Sequence, residues 1–271
     1  MPRVRPVVKC HGGKFYLAQW IISHFPKDYN QLTYVEPFIG GGSVLLNKAL
    51  SVQEIINDKD RKIISIWKAL RYQPDAFACE LGQCPYLQEA FDWAKASLDQ
   101  EESADYVKLA VWEYVVRRMS RGGMRKAFAW SKRLRGGKPG DLNAWNTALE
   151  CLPALSDRVK RVEMWSLDFQ EILDNWNHPE CLLYLDPPYL KETRAKGATE
   201  VYFHEMSNVD HTRMLDACLA SKAKIIVSGY TSALYSEKLD NWHCFHKDMV
   251  NHSSQAKTKK VKRECLWKNY K

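Results

Sequence analysis

The chain has 271 residues, 45% hydrophobic and 27% charged, which is ordinary for a globular protein and long enough for one large α/β domain with an inserted module. No apolar run reaches the ~18 residues of a membrane span, and the basic start Met1-Pro2-Arg3-Val4-Arg5-Pro6 lacks the apolar core of a signal peptide, so a cytoplasmic protein off the membrane is expected. The net charge of +8 points to a polyanionic partner, and none of the eight cysteines forms the Cys-x-x-Cys pair of a zinc site.

In chain order, residues 14–25 have helical periodicity and stop at Pro26. Leu32 to Phe38 reads as a strand running into Ile39-Gly40-Gly41-Gly42-Ser43 and a helix through Val44 to Lys48. A strand at 54–57 and a helix at 59–71, with Ile63, Ile64, Ile66, Trp67 and Leu70 apolar, complete a βαβα start. The alternation then breaks. Helical stretches at 85–98, 103–119 and 142–158 follow, with no convincing strand and a basic loop from Ser120 to Asp141. The rhythm resumes with a strand at 162–167, a short helix after Asp168-Phe169, a strand at 181–185, a helix at 208–221, a strand at 224–228 and a helix near 232–239. Two strands, near 242–249 and 263–268, close the chain. The reading is α/β: a doubly wound, Rossmann-like sheet, mostly parallel with an antiparallel terminal strand, formed by 1–75 and 159–271, with 76–158 as an inserted helical subdomain.

The chemistry concentrates at Leu185-Asp186-Pro187-Pro188-Tyr189, after the apolar run Cys181 to Tyr184. It places a carboxylate, two proline-fixed units and an aromatic face at a strand's carboxyl end, where open α/β sheets bind ligands. Asp-Pro-Pro is also ordinary turn chemistry, and on its own it is an even choice between turn and site. The upstream glycine turn tilts that choice. Glu36-Pro37-Phe38-Ile39-Gly40-Gly41-Gly42-Ser43 has neither the dinucleotide spacing nor a P-loop Gly-Lys-Ser/Thr, and Asp58 ends the next strand, placed for ribose hydroxyls. The pocket thus suits a nucleoside without a required phosphate site, and S-adenosylmethionine is such a ligand. In His243-Cys244-Phe245-His246, strand alternation sends Cys244 and His246 to one face and His243 and Phe245 to the other, so no metal site is expected.

With these pieces the chain resembles the Dam-type DNA N6-adenine methyltransferases, including phage-borne members. The likeness rests on His11-Gly12-Gly13-Lys14, the Glu36–Ser43 stretch, Asn57-Asp58, Asp168-Phe169, Asp186-Pro187-Pro188-Tyr189, Tyr202-Phe203-His204-Glu205-Met206, Ser228-Gly229-Tyr230 and Glu264-Cys265-Leu266-Trp267. One departure is Cys10, where the family commonly carries an aromatic. The resemblance implies transfer of the S-adenosylmethionine methyl group to N6 of a flipped adenine without a metal. Asp186, Pro187, Pro188 and Tyr189 would be catalytic. Gly13, Lys14, Glu36, Phe38, Gly40, Gly42, Ser43, Asp58, Asp168 and Phe169 would hold the cofactor. Lys14 and Gly40 would lie near its methionine end, and Asp168 and Phe169 would meet its adenine. Asp168 also suits a plain helix cap.

The positive charge clusters at Arg117, Arg118, Arg121, Arg125, Lys126, Lys132, Arg133, Arg135 and Lys138, with no acid between Glu113 and Asp141 and with Phe128 and Trp130 interleaved. This suits phosphate contact on double-stranded DNA, with Arg121, Arg125, Lys126, Arg133, Arg135 and Lys138 as the expected DNA-binding residues and Arg133 or Arg135 able to read a guanine edge. A second basic run, Lys257, Lys259, Lys260, Lys262 and Arg263, reads as a loop between the last two strands. A monomer or weak dimer is expected. The alternatives are methylation of RNA adenine or of cytosine N4, and an inactive DNA-binding module of the same shape. Recognition sequence and any link to a restriction partner are not legible.

Overall fold

The computed structural model describes residues 3–100, 105–194, 202–250 and 261–271. In chain order the elements are α1 (Ala18–Ile22), β1 (Thr33–Glu36), β2 (Gln53–Asn57), α2 (Arg61–Tyr72), α3 (Pro74–Gln83), α4 (Gln88–Asp99) and α5 (Tyr106–Arg118). Then come β3 (Leu134–Arg135), β4 (Lys138–Pro139), α6 (Gly140–Glu150), α7 (Leu152–Val159), β5 (Val162–Trp165), α8 (Phe169–Asn175) and β6 (Cys181–Leu185). The last are α9 (Asn208–Ala220), β7 (Lys224–Gly229), α10 (Ala233–Lys238), β8 (His243–Val250) and β9 (Val261–Lys268). A seven-stranded sheet runs β5-β2-β1-β6-β7-β9-β8. β1 is parallel to β2 and to β6, β6 is parallel to β7, and β9 is antiparallel to both β7 and β8. This is the mostly parallel Rossmann-like sheet with one reversed terminal strand that the αβ alternation implies. Among the described residues no helix is long and apolar enough to cross a membrane.

The chain divides into two compact units, Met1–His24 with Gly40–Ala49 and Asp60–Ser166, and Phe25–Ile39 with Leu50–Lys59 and Leu167–Lys271. In the first, α5 is buried around most of its circumference, including Glu113 at 0% exposure. A helix apolar nearly all round is a central one. The buried Glu113 accepts from Arg117 Nε at 2.5 Å, and Arg117 Nη2 reaches Asp60 Oδ2 at 3.1 Å. Asp60 in turn caps α2, accepting from the Lys62 amide at 3.0 Å. One ionic chain therefore fixes the start of α2 on α5.

The structure departs from the sequence pattern at several places. The run 14–25 forms only the short α1, and no helix follows the glycine turn, where a single 3-10 turn spans Leu45–Asn47. The Asn47 side chain donates to Ser43 O and Val4 O, both at 2.8 Å, taking a carbonyl that a helix would use and leaving Lys48 extended. Helix α3 is not among the expected elements, although Pro74 occupies its first turn, where proline is favoured. The 142–158 helix is two helices, broken at Cys151 with Pro153 opening the second. The basic loop contains the hairpin β3–β4, pairing Leu134 with Pro139 and Arg135 with Lys138.

In the second unit the strand β6 is buried at every position and pairs Leu182 with Tyr34 on one side and Lys224 on the other. Its core gathers Leu183, Leu185, Ile225, Val227, Met214 and Trp267.

Gly41 shows why the glycine turn is glycine. A Cβ there would lie 2.7 Å from Val8 O, a backbone atom, while Val7 N donates to Gly41 O at 3.0 Å. Gly41→Ala is expected to destabilise the protein by ~1–3 kcal/mol through overpacking. Gly82→Ala, in α3 with open space around it, should be neutral or stabilising by up to ~1 kcal/mol. Urea midpoints of the two variants check this; equal midpoints would contradict it.

Candidate active site

Asp186 follows directly from β6, and Pro187 and Pro188 carry no N–H to continue the ladder. The parallel register sets Leu185 against Val227, so the next residue of each strand, Asp186 and Ser228, fall side by side. Ser228 Oγ donates to Asp186 Oδ1 at 2.8 Å and lies 3.1 Å from the Tyr184 hydroxyl. Serine has one proton. With that proton on Asp186, Tyr184 must donate to Ser228. Burial, then the nearby Asp186, pushes the Tyr184 phenol up, so it keeps its proton for that bond. The result is a buried relay, Tyr184 to Ser228 to Asp186, that fixes the carboxylate at the strand end.

Tyr189 is 6% exposed, and its hydroxyl donates to Glu264 Oε1 on β9. Burial, then Asp186 and Glu264, pushes its pKa well up, so it is a phenol and not a phenolate. The ring meets Tyr230 edge to face, centroids 4.7 Å apart at 73°. Tyr230 is half-buried and is the more accessible of the pair. The Tyr189 carbonyl accepts from Arg194 Nε at 2.8 Å, and Arg194 pairs with Glu205 at 2.5 Å beneath the Tyr202 ring. Part of the Tyr202–Met206 stretch thus anchors the carbonyl that ends the Asp186–Tyr189 stretch. Behind the motif, His211 of α9 is fully buried, its Nδ1 2.9 Å from the Tyr235 hydroxyl. Burial lowers its pKa to about 4, against a smaller opposing pull from the Pro188 carbonyl and Asp210.

The candidate nucleoside groups of the same unit are brought together by one side chain. Asn57 donates to Pro37 O at 3.0 Å and Leu167 O at 3.1 Å, and accepts from Leu167 N at 2.8 Å. The next residues along the chain from these anchors are Phe38, Asp58 and Asp168. Phe38 packs on Phe169 with centroids 5.8 Å apart. Asp168 caps α8 in a capping box with Glu171, so the helix-cap reading holds at that position. Partial burial alone would raise its carboxyl. The Gln170 amide, Arg213 and Lys59 outweigh that and hold it below the usual carboxylate value. Glu36 is buried and accepts from Tyr34 OH at 2.7 Å.

In the first unit Lys14 is buried, its Nζ donating to Gly12 O at 2.9 Å, and Gly13 N closes a turn on Cys10 O. Gly40 and Gly42 both take positive φ, 46° and 67°, and Ser43 is buried beside them. The basic run splits in two. Arg117 and Arg118 face inward, Arg118 Nη2 donating to Pro6 O at 2.7 Å and to Val7 O. Arg125, expected on the DNA, has its side chain only 16% exposed and its Nη2 3.3 Å from the buried Glu113. A carboxylate sunk in the core draws it in, so it serves the ionic chain. Arg121, Lys126, Arg133 and Lys138 are exposed. The Arg135 side chain and the run 251–260, with Lys257, Lys259 and Lys260, lie outside the described residues, as does the Lys262 side chain. Cys244 and His246 do share a face of β8, Sγ to Nε2 3.7 Å.

Sequence reasoning missed Ser228, Glu264, Arg194 and His211 as partners of the motif. Only the presence of Ser228 and Glu264 within family-like stretches hinted at two of them. A family model described as D12 class N6 adenine-specific DNA methyltransferase matches residues 11–264. The chain is 25% identical over 233 residues to the Type II methyltransferase M.MjaIII of Methanocaldococcus jannaschii, spanning 78% of each. It is 21% identical over 270 residues to a DNA adenine methylase of Haemophilus influenzae, covering 95% of this chain and 91% of the relative. A DNA N-6-adenine-methyltransferase of Escherichia phage P1 is 22% identical over 214 residues, 78% of this chain but 27% of that protein.

His211 supplies a prediction independent of activity. Its folded pKa of about 4 lies below the ordinary histidine value of 6.5, so the unfolded chain takes up the proton first. Its contribution to stability is complete above pH ~6.5 and is lost progressively as pH falls toward about 4. The urea midpoint should therefore drop between pH 7 and pH 5, and His211→Gln should flatten that drop. A parental slope in the variant would contradict the assignment.

Proposed function

We propose, for a chain that belongs to the D12 class of N6 adenine-specific DNA methyltransferases, that Asp186 and the Pro187 carbonyl are the two acceptors for the adenine amino group. The carrying observation is the carboxylate held by Ser228 at the end of β6, next to a proline carbonyl. The amino nitrogen of adenine is a poor nucleophile because its lone pair is delocalised into the ring. Accepting both N–H groups favours a pyramidal nitrogen with a directed lone pair. Positive charge then develops on that nitrogen, and Asp186 lies where it stabilises the charge and can take the proton the nitrogen sheds. S-adenosylmethionine, the methyl donor general to this family, supplies an electrophilic methyl group on sulfur. Positioning does the rest, and Tyr184 and Ser228 are positioning residues for Asp186.

The groups gathered by Asn57 fit a nucleoside. Asp58 offers acceptors to ribose hydroxyls, Asp168 to an amino group, and Phe38 and Phe169 offer apolar faces. Glu36 belongs to the same proposed set. The roles of Gly13, Lys14, Gly40, Gly42 and Ser43 toward the methionine end rest on the family. Tyr189, pinned through its hydroxyl and its carbonyl, gives a fixed aromatic wall, and Tyr230 adds the accessible face on which a flipped base can stack. The exposed Arg121, Lys126, Arg133 and Lys138, with Arg135, are proposed to contact DNA phosphates or base edges.

Asp186→Ala should abolish methyl transfer, and Asp186→Asn should cut it by roughly tenfold to a hundredfold, since a charge-assisted hydrogen bond contributes ~1.5–3 kcal/mol. Ser228→Ala should cost several-fold. Single-turnover incorporation of labelled methyl into DNA reads this, with DNA affinity retained; an unchanged Asp186→Asn rate rules the role out.

Changing Arg121, Lys126, Arg133 and Lys138 together to glutamine should weaken DNA binding and lower the salt slope by up to ~0.9 for each phosphate no longer neutralised. Arg125→Gln should instead reduce thermal stability, because it leaves Glu113 short of a buried cation. A quadruple variant with the parental salt slope would remove these residues from the interface.

A further inference from the structure

Asp168 is already engaged by cations and by its helix. Its Oδ1 accepts from the Gln170 amide at 3.1 Å and lies 3.0 Å from Arg213 Nη2. Its Oδ2 lies 3.3 Å from Arg213 Nη2 and 3.4 Å from Lys59 Nζ. Three donor atoms, the Gln170 amide, Arg213 Nη2 and Lys59 Nζ, thus engage both oxygens of the carboxylate. The Gln170 bond opens α8, and Asn57 clamps both backbone groups of Leu167, so neither Asp168 nor its cap is free to turn away. The Arg213 guanidinium also covers the ring beside this carboxylate. Its central carbon lies 4.4 Å from the Phe169 centroid, and that ring is only 5% exposed, with Phe38 as its aromatic neighbour.

Arg213 can leave this position. Its side chain is 45% exposed, and a second carboxylate, Asp210 on the same helix, waits 3.6 Å from its Nη2. It borders an open groove of about 650 Å³ lined by Gln170, Asn208, Thr212 and Asp216, which gives the guanidinium room to move. Asp210 is a competent acceptor: its hydrogen bonds from Ser207, then Arg213 and Lys59 nearby, hold its carboxyl below the usual value.

We infer that Arg213 is a specificity-determining residue for the cofactor, a built-in competitor that an adenine amino group must displace from Asp168 and Phe169 toward Asp210. This rests on the reading of Asp168 and Phe169 as the adenine subsite. Only a ligand that brings a donor to Asp168 and a flat face to Phe169 replaces what the guanidinium gives up. Arg213 therefore sets a threshold for entry and lowers cofactor affinity. A lysine at 213 would keep the charge but not the planar fork.

The test is calorimetric titration of the full chain with S-adenosylhomocysteine, which carries the adenine but no transferable methyl. Arg213→Ala should tighten binding roughly three- to tenfold, the size of a part-exposed ion pair plus a cation–π contact, with Arg213→Lys between it and the parent. Asp168→Asn, which keeps the helix cap, should weaken binding, and in that background Arg213→Ala should no longer tighten it. If Asp168→Asn weakens binding but Arg213→Ala leaves it unchanged or weaker, the competitor role is overturned while the subsite stands. If Asp168→Asn leaves affinity intact, the subsite reading falls and this inference falls with it.

Discussion

The second unit depends on one constraint: a carboxylate must be held at the end of a strand that is buried along its whole length. β6 is buried at all five positions, so its backbone is fully committed to neighbouring strands. A carboxylate at its tip is costly unless hydrogen-bonded. Parallel pairing with β7 answers this by register alone, setting Ser228 beside Asp186, and Tyr184 supplies the second link. The same economy extends outward. Glu264 reaches from antiparallel β9 to the Tyr189 hydroxyl, while Arg194 takes the Tyr189 carbonyl and hands its charge to Glu205. Neutral His211 backs the motif from α9. Asp186 Oδ1, the Tyr189 hydroxyl and the Tyr189 carbonyl are thus each met by a different part of the unit.

Charge is divided by the same rule in the other unit. Its positive residues look uniform along the chain, but the buried Glu113 and Asp60 claim Arg117 and Arg125. Removing one member of such a cluster strands the others in the core. Arg121, Lys126, Arg133 and Lys138 stay at the surface, where long-range fields and counterion release would favour a polyanion. The cluster of Arg117, Arg125, Glu113 and Asp60 is neutral as a whole, so it takes two cations out of the basic run without changing the net charge of +8.

Strong local pattern makes much of the fold legible. The apolar run of β6, the alternation around β7 and the capped helices α9 and α10 form where the pattern places them, because burial and propensity agree there. The errors lie where one side chain overrules the pattern. Asn47 takes the carbonyl a helix needs after the glycine turn, Pro74 starts a helix and not a loop, and Pro153 splits another. Gly136-Gly137 turn a basic loop into a hairpin. At the site, the residues of the Asp-Pro-Pro-Tyr motif are legible because they are contiguous. Their partners are not: Ser228 is 42 residues from Asp186, and Glu264 is 75 from Tyr189. Such pairings are made by sheet register, which no local window contains. Arg125 misleads for the same reason, since its partner Glu113 is identified only by burial.

The most direct measurement is the identity of the methylated base. The protein is incubated with double-stranded DNA of mixed sequence and S-adenosylmethionine labelled in its methyl group, and the DNA is digested to nucleosides and separated. The two acceptors proposed at the end of β6 suit an exocyclic amino group as nucleophile, and the family assigns adenine. Label is expected in N6-methyldeoxyadenosine, at a defined sequence. Label in N4-methyldeoxycytidine would contradict the adenine assignment, and DNA left unlabelled by folded protein would contradict the mechanism.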